Sequence, residues 1–129
     1  METPANTIAA TPERIAELKR DMRNAVRAFR IAEADEICHH LIDDCGVDAE
    51  ADDMLPSRVT IDVLSGRIHD AMCMLNGLGE DRGLGLKAVC LRLMGDPFWE
   101  GTAVQAQATT DDPVLKQSMQ LLLDTADQA

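Results

Sequence analysis

The stretch Thr11–Gly46, TPERIAELKRDMRNAVRAFRIAEADEICHHLIDDCG, decides the fold. Thr11 suits the N-cap of a helix whose first residue is Pro12, with Glu13 in its first turn. Apolar residues follow at Ile15, Leu18, Met22, Ala25, Phe29 and Ala32. Alternation by threes and fours is the seam of a packed helix. Val26, Ile37 and Leu41 shift that seam sideways, so the helix either curves around a core or breaks near Ala34. Gly46 can take the left-handed conformation that ends it. Unbroken, the helix would be about 50 Å long.

The charges along this stretch are segregated. Arg14, Lys19, Arg20, Arg23, Arg27 and Arg30 face Glu13, Glu17 and Asp21 in its first half. From Ile31 to Gly46 there is no Lys or Arg, while Glu33, Asp35, Glu36, Asp43 and Asp44 accumulate. A helix dipole favours the opposite order beyond the first turn. An antiparallel homodimer would offset the mismatch. It would set Arg20, Arg23, Arg27 and Arg30 beside Glu33, Glu36, Asp43 and Asp44 of a second copy, with a two-fold axis near Arg30. Exposed ion pairs contribute only ~0–1 kcal/mol each, so the apolar seam would supply most of the affinity. Alternatively, the arginines meet this chain's own acidic linker or a foreign partner.

Further along, Val47–Leu55 reads as an acidic linker with little to bury. Pro56-Ser57 restarts structure, with Ser57 as N-cap and a helix from about Arg58 to Asn76 carrying Ile61, Leu64, Ile68, Ala71, Leu75 and Leu78. Val59–Val63 also alternates like a short strand, but a strand needs a partner, and helix is the better reading. Asn76–Gly85, with four glycines, makes a turn. A short helix to Met94 follows, with Leu86, Val89, Cys90 and Leu93 inward, stopped by Gly95 and Pro97. Phe98 and Trp99 would plug the end of the bundle. Thr102–Thr110 suits a loop or a poor helix. Asp112-Pro113 opens a last helix with Leu115, Met119, Leu122 and Ala126 on the core.

At 129 residues, 46% of them apolar, the chain has material for one domain with a real core. Met1–Ala10 has no basic or apolar region of a secretory signal and reads as a loose tail. The expected fold is all-α, a bundle or irregular array of about four helices over 11–129 with one long N-terminal helix. A net charge of −11 argues against non-specific binding to nucleic acid or anionic membranes. No apolar run reaches the ~20 residues of a membrane span. Four cysteines without C-x-x-C spacing suggest reduced thiols in a cytoplasm. Each would behave as a small core residue, Cys73 and Cys90 included.

Chemistry-bearing residues are few. Glu36, Cys38, His39, His40, Asp43, Asp44 and Cys45 form the richest donor cluster. Glu36-x-x-His39 is half of a di-iron motif, but Gly66 stands where His69 would need its glutamate. A zinc site from His40 or Cys45 with His69 and Cys73 is conceivable. The simpler reading is an acidic helix end with solvated histidines. His69 on a helix suggests phosphotransfer, but Met72 and Cys73 one turn on offer a phosphoryl group nothing. The glycines from Gly77 to Gly85 lack the phosphate-loop pattern.

The expected function is therefore that of a small acidic regulator or adaptor, cytoplasmic and bacterial. It would act by protein–protein contact, as antiactivators, immunity proteins, chaperones and antitoxins do, without catalysis or cofactor. Its docking surface would be Asp43, Asp44, Asp48, Glu50, Asp52 and Asp53, six acids within eleven residues, facing a basic partner. The alternative is a histidine phosphotransfer or metal-binding bundle using His69 or the His39–His40 cluster.

Overall fold

The computed structural model describes residues 10–79 and 82–128, so the expected tail lies outside the described residues save for Ala10. All regular structure among them is helical: α1 Pro12–Arg27, α2 Ile31–His39, α3 Leu55–Leu64, α4 Ile68–Asn76, α5 Leu84–Met94, α6 Trp99–Thr109 and α7 Pro113–Asp124. A π-helical turn His40–Asp44 extends α2, and a 3₁₀ turn Thr125–Gln128 follows α7. The chain divides between Gly66 and Arg67 into two compact units. Where one domain was expected over 11–129, each unit has a buried cluster of its own.

In the first unit α1 begins as its sequence dictates, with Thr11 Oγ1 accepting from the Arg14 N–H at 3.1 Å. It does not continue to Gly46. The Arg30 N–H donates to Ala25 O (2.8 Å) and the Phe29 N–H to Val26 O (3.0 Å). This pair of bonds is the Schellman reversal that ends helices, normally with glycine in the left-handed position. Here Phe29 occupies it at φ 59. A left-handed conformation costs a side-chain-bearing residue about 1–2 kcal/mol. Tertiary packing imposes the break. Leu18, Met22 and Ala25 of α1 close on Ala34 and Cys38 of α2, and on Leu41, Met54 and Ile61. A straight helix could not bring its own two halves together. Phe29 and Ala32, expected on the seam, are instead exposed, Phe29 to 75%.

The acidic segment after Gly46 is no idle linker. Met54 and Leu55 are buried, and Val47 and Ala51 pack against the cluster. Helix α3 starts at Leu55, before the expected cap, so Ser57 sits buried inside it. Val59–Val63 is helical. The helix expected over 58–76 is two helices, because Ser65 caps α3 and Gly66 turns the chain at φ 82. Two extra reversals, together with a regular α6 where loop or poor helix stood open, raise the count from four to seven.

In the second unit Leu84, Ala88, Trp99, Ala103, Ala106 and Met119 form the buried cluster. Leu115, Leu122 and Ala126 pack against it as expected. A Cβ on Gly85 would lie 2.7 Å from Leu115 Cδ1, so glycine lets α7 approach α5 closely. The inward face of α5 is Leu84, Ala88 and Cys90, while Val89 and Leu93 are exposed, contrary to the expected register. Trp99 is buried with the Arg92 guanidinium 4.9 Å from its ring centroid. Phe98 plugs nothing and stands 76% exposed. Cys73, expected in the core, is exposed.

Candidate interaction surface

Helix α2 and the π-helical turn carry Asp35, Glu36, His39, His40, Asp43 and Asp44 around one open depression of the surface. Widening the helix by one residue lets the Cys45 N–H reach His40 O at 3.1 Å. Gly46 (φ 73) then turns the chain, and the Val47 N–H returns to Leu41 O. His39 Nδ1 lies 2.9 Å from Asp35 O and 3.3 Å from Asp35 Oδ1. His40 Nδ1 lies 2.7 Å from Asp44 Oδ2. Each imidazole thus rests on a carboxylate one helical turn away, the spacing at which helix side chains meet. Among the described residues no three His, Cys, Asp or Glu side chains are grouped as metal ligands would be. His69 is exposed in the first turn of α4, in the second unit.

All six acids of the expected docking stretch, Asp43, Asp44, Asp48, Glu50, Asp52 and Asp53, are exposed. Asp48 Oδ1 accepts from the Glu50 N–H at 2.9 Å, which fixes a turn. Arg58 Nη1 donates to Ala49 O at 2.7 Å and ties that turn to α3. Asp53 Oδ2 accepts from Lys19 Nζ at 2.7 Å. The acids are consequently held on a packed, internally bonded segment. Neither Lys19 nor Arg58 was legible as its fastener, because Lys19 lies 34 residues from Asp53 and Arg58 bonds a backbone carbonyl, which no side-chain pattern marks.

The arginine row is divided by the break at Phe29. Arg20, Arg23 and Arg27 are exposed on α1. Arg27 reaches Asn24 Oδ1, at 3.5 Å. Arg30 lies beyond the break and pairs with Glu33 at 3.1 Å, so both belong to one local contact. The continuous helix on which antiparallel pairing of Arg20, Arg23, Arg27 and Arg30 with Glu33 and Glu36 depended is absent. Leu18, Met22 and Ala25 of its apolar seam are enclosed in the unit's own core.

Burial raises the thiol pKa of Cys38, against a lowering by Arg58 and with further raising by Asp35, Asp62 and Asp43. Burial alone raises that of Cys90. Both are poor thiolates at neutral pH, so neither suits nucleophilic work. A raised thiol pKa contributes stability that is complete below the unfolded value and lost as pH rises through the folded one. Alkylation of native protein should therefore modify exposed Cys73 first and Cys38 and Cys90 last, as peptide mapping over time would show. The urea midpoint should fall as pH climbs past the ordinary thiol range.

No family model, curated protein or solved structure matches this chain. Among the described residues no helix is long and apolar enough to cross a membrane.

Proposed function

We propose that this chain is a regulatory or adaptor protein that presents the acidic surface Asp43–Asp53 to a basic surface of another protein. One observation carries the reading. The six exposed acids are mounted on a segment anchored by Met54, Leu55, Val47 and Ala51 and by the Arg58–Ala49 bond. A preorganised charged surface loses less entropy on binding than a free linker. Concentrated like charge steers an oppositely charged partner and fixes its orientation. The neighbouring face of Asp35, Glu36 and the two histidines extends the same acidic surface. The four free cysteines suit a reducing, cytoplasmic setting.

The test is affinity capture from the native host with wild-type protein and with the Asp43→Asn, Glu50→Gln, Asp52→Asn triple variant. Asp48 and Asp53 are left intact because they hold the segment. The variant should retain the wild-type helical circular dichroism. It should lose a defined set of captured proteins, most clearly at low salt. Equal capture by both proteins at low salt would contradict a docking role for these acids.

A further inference from the structure

We propose that the α1–α2 hairpin can open at Ala28–Arg30 into one continuous helix, and that the opened form pairs with a second copy of this chain by exchanging α1. Phe29 is the sole non-glycine residue with positive φ among the described residues, and its ring is 75% exposed. No burial of that ring offsets the strained backbone. The apolar alternation runs through the junction, and no Gly, Pro or Asn occurs between Ala25 and Ile37. Local sequence thus favours a straight helix, whereas the core favours the reversal. That conflict gives the junction two discrete solutions.

Exchange of α1 satisfies both. In the opened pair, α1 of each chain takes the place on its partner that it holds on its own chain. Leu18, Met22 and Ala25 meet the same cluster residues as before, and the Lys19–Asp53 pair re-forms between chains. Only the junction changes. Phe29 regains helical backbone angles and returns to the seam on which its spacing places it. Near a two-fold axis at the junction, Arg27 comes beside Glu33 of the second copy, so the segregated charges oppose one another. A second copy is the occupant because the groove that α1 fills is already shaped to α1. Exchange of an identical element is a low-cost route to a dimer, and short hinges under strain invite it.

The test uses full-length chains, isotopically light and heavy, unfolded together and refolded at low millimolar concentration. Monomer and dimer are separated by size and treated with a zero-length carbodiimide. The linkage Lys19–Asp53 should be intrachain in the monomer and joined light-to-heavy in the dimer. Phe29→Gly relaxes the reversal and weakens the straight helix. It should raise the dimer dissociation constant about tenfold or more. Phe29→Ala keeps the strained backbone without the ring, so it should dimerise better than Phe29→Gly. Absence of a dimer, a dimer whose Lys19–Asp53 links stay intrachain, or Phe29→Gly dimerising as well as wild type or Phe29→Ala would each overturn the proposal.

Discussion

At Arg27–Arg30 in the first unit and at Met94–Asp96 in the second, the chain leaves a helix through the same pair of hydrogen bonds. The Phe29 N–H reaches Val26 O and the Arg30 N–H reaches Ala25 O, while the Gly95 N–H reaches Arg92 O and the Asp96 N–H reaches Leu91 O. The left-handed residue is Phe29 (φ 59) in one and Gly95 (φ 76) in the other. Glycine adopts that angle without steric cost, so α5 ends where its own sequence ends it. Phenylalanine does not, so α1 ends where the core behind it requires. The two units differ in charge as well. The chain carries fourteen acids and seven bases before Arg67, against nine and five from there on. The first unit thus adds a strained reversal and a dense acidic surface to its glycine turns at Gly46 and Gly66, whereas among the described residues of the second every left-handed position is a glycine.

The largest expected effects test whether each core has the strength this contrast assumes. Leu41 is fully buried in the first cluster and Trp99 is 6% exposed in the second. Leu41→Ala should cost about 2–5 kcal/mol and Trp99→Ala about 3–5 kcal/mol in urea unfolding. A loss below about 1 kcal/mol for Leu41→Ala would mean that the first core is too weak to impose a strained turn.

Glycine replacements sharpen the comparison from the other side. At Gly95 an added Cβ meets nothing within 4 Å, so Gly95→Ala isolates the backbone cost, about 1–2 kcal/mol. At Gly83 (φ 69) a Cβ would stand 2.9 Å from Leu75 Cδ2. Gly83→Ala should therefore destabilise more than Gly95→Ala under the same conditions. The reverse order would show that packing at Gly83 yields freely.

The sequence made legible what is written in local signals. Thr11 and Asp112 cap helices through their own side chains, at 3.1 Å to the Arg14 N–H and 2.9 Å to the Val114 N–H. Gly95 ends α5 where expected. All-helical character and the inward Leu18, Met22, Ala25, Leu75 and Met119 follow from periodicity. The sideways shift of the seam at Val26, Ile37 and Leu41 announced a curve or a break near Ala34, but the actual place of the break at Phe29 was not legible, since no residue there prefers a turn and the cause lies in Leu41, Met54 and Ile61. The outward Val89 and Leu93 belong to a helix apolar on most sides, where periodicity does not select one face. As for the surface, its acids were plain in the sequence. Their anchoring by Arg58, Lys19, Met54 and Leu55 depends on contacts between residues as much as 34 apart.

The most direct measurement is the urea midpoint of Phe29→Gly, taken at protein concentrations low enough to keep the chain monomeric. Glycine removes the left-handed penalty but adds freedom to the unfolded chain. The expected net gain is about 0.5–1 kcal/mol with an unchanged denaturant slope. Gly95→Ala in the same assay should move the midpoint the other way. A Phe29→Gly protein less stable than wild type would contradict the claim that packing behind the junction, rather than the residue in it, holds the first helix in its reversal.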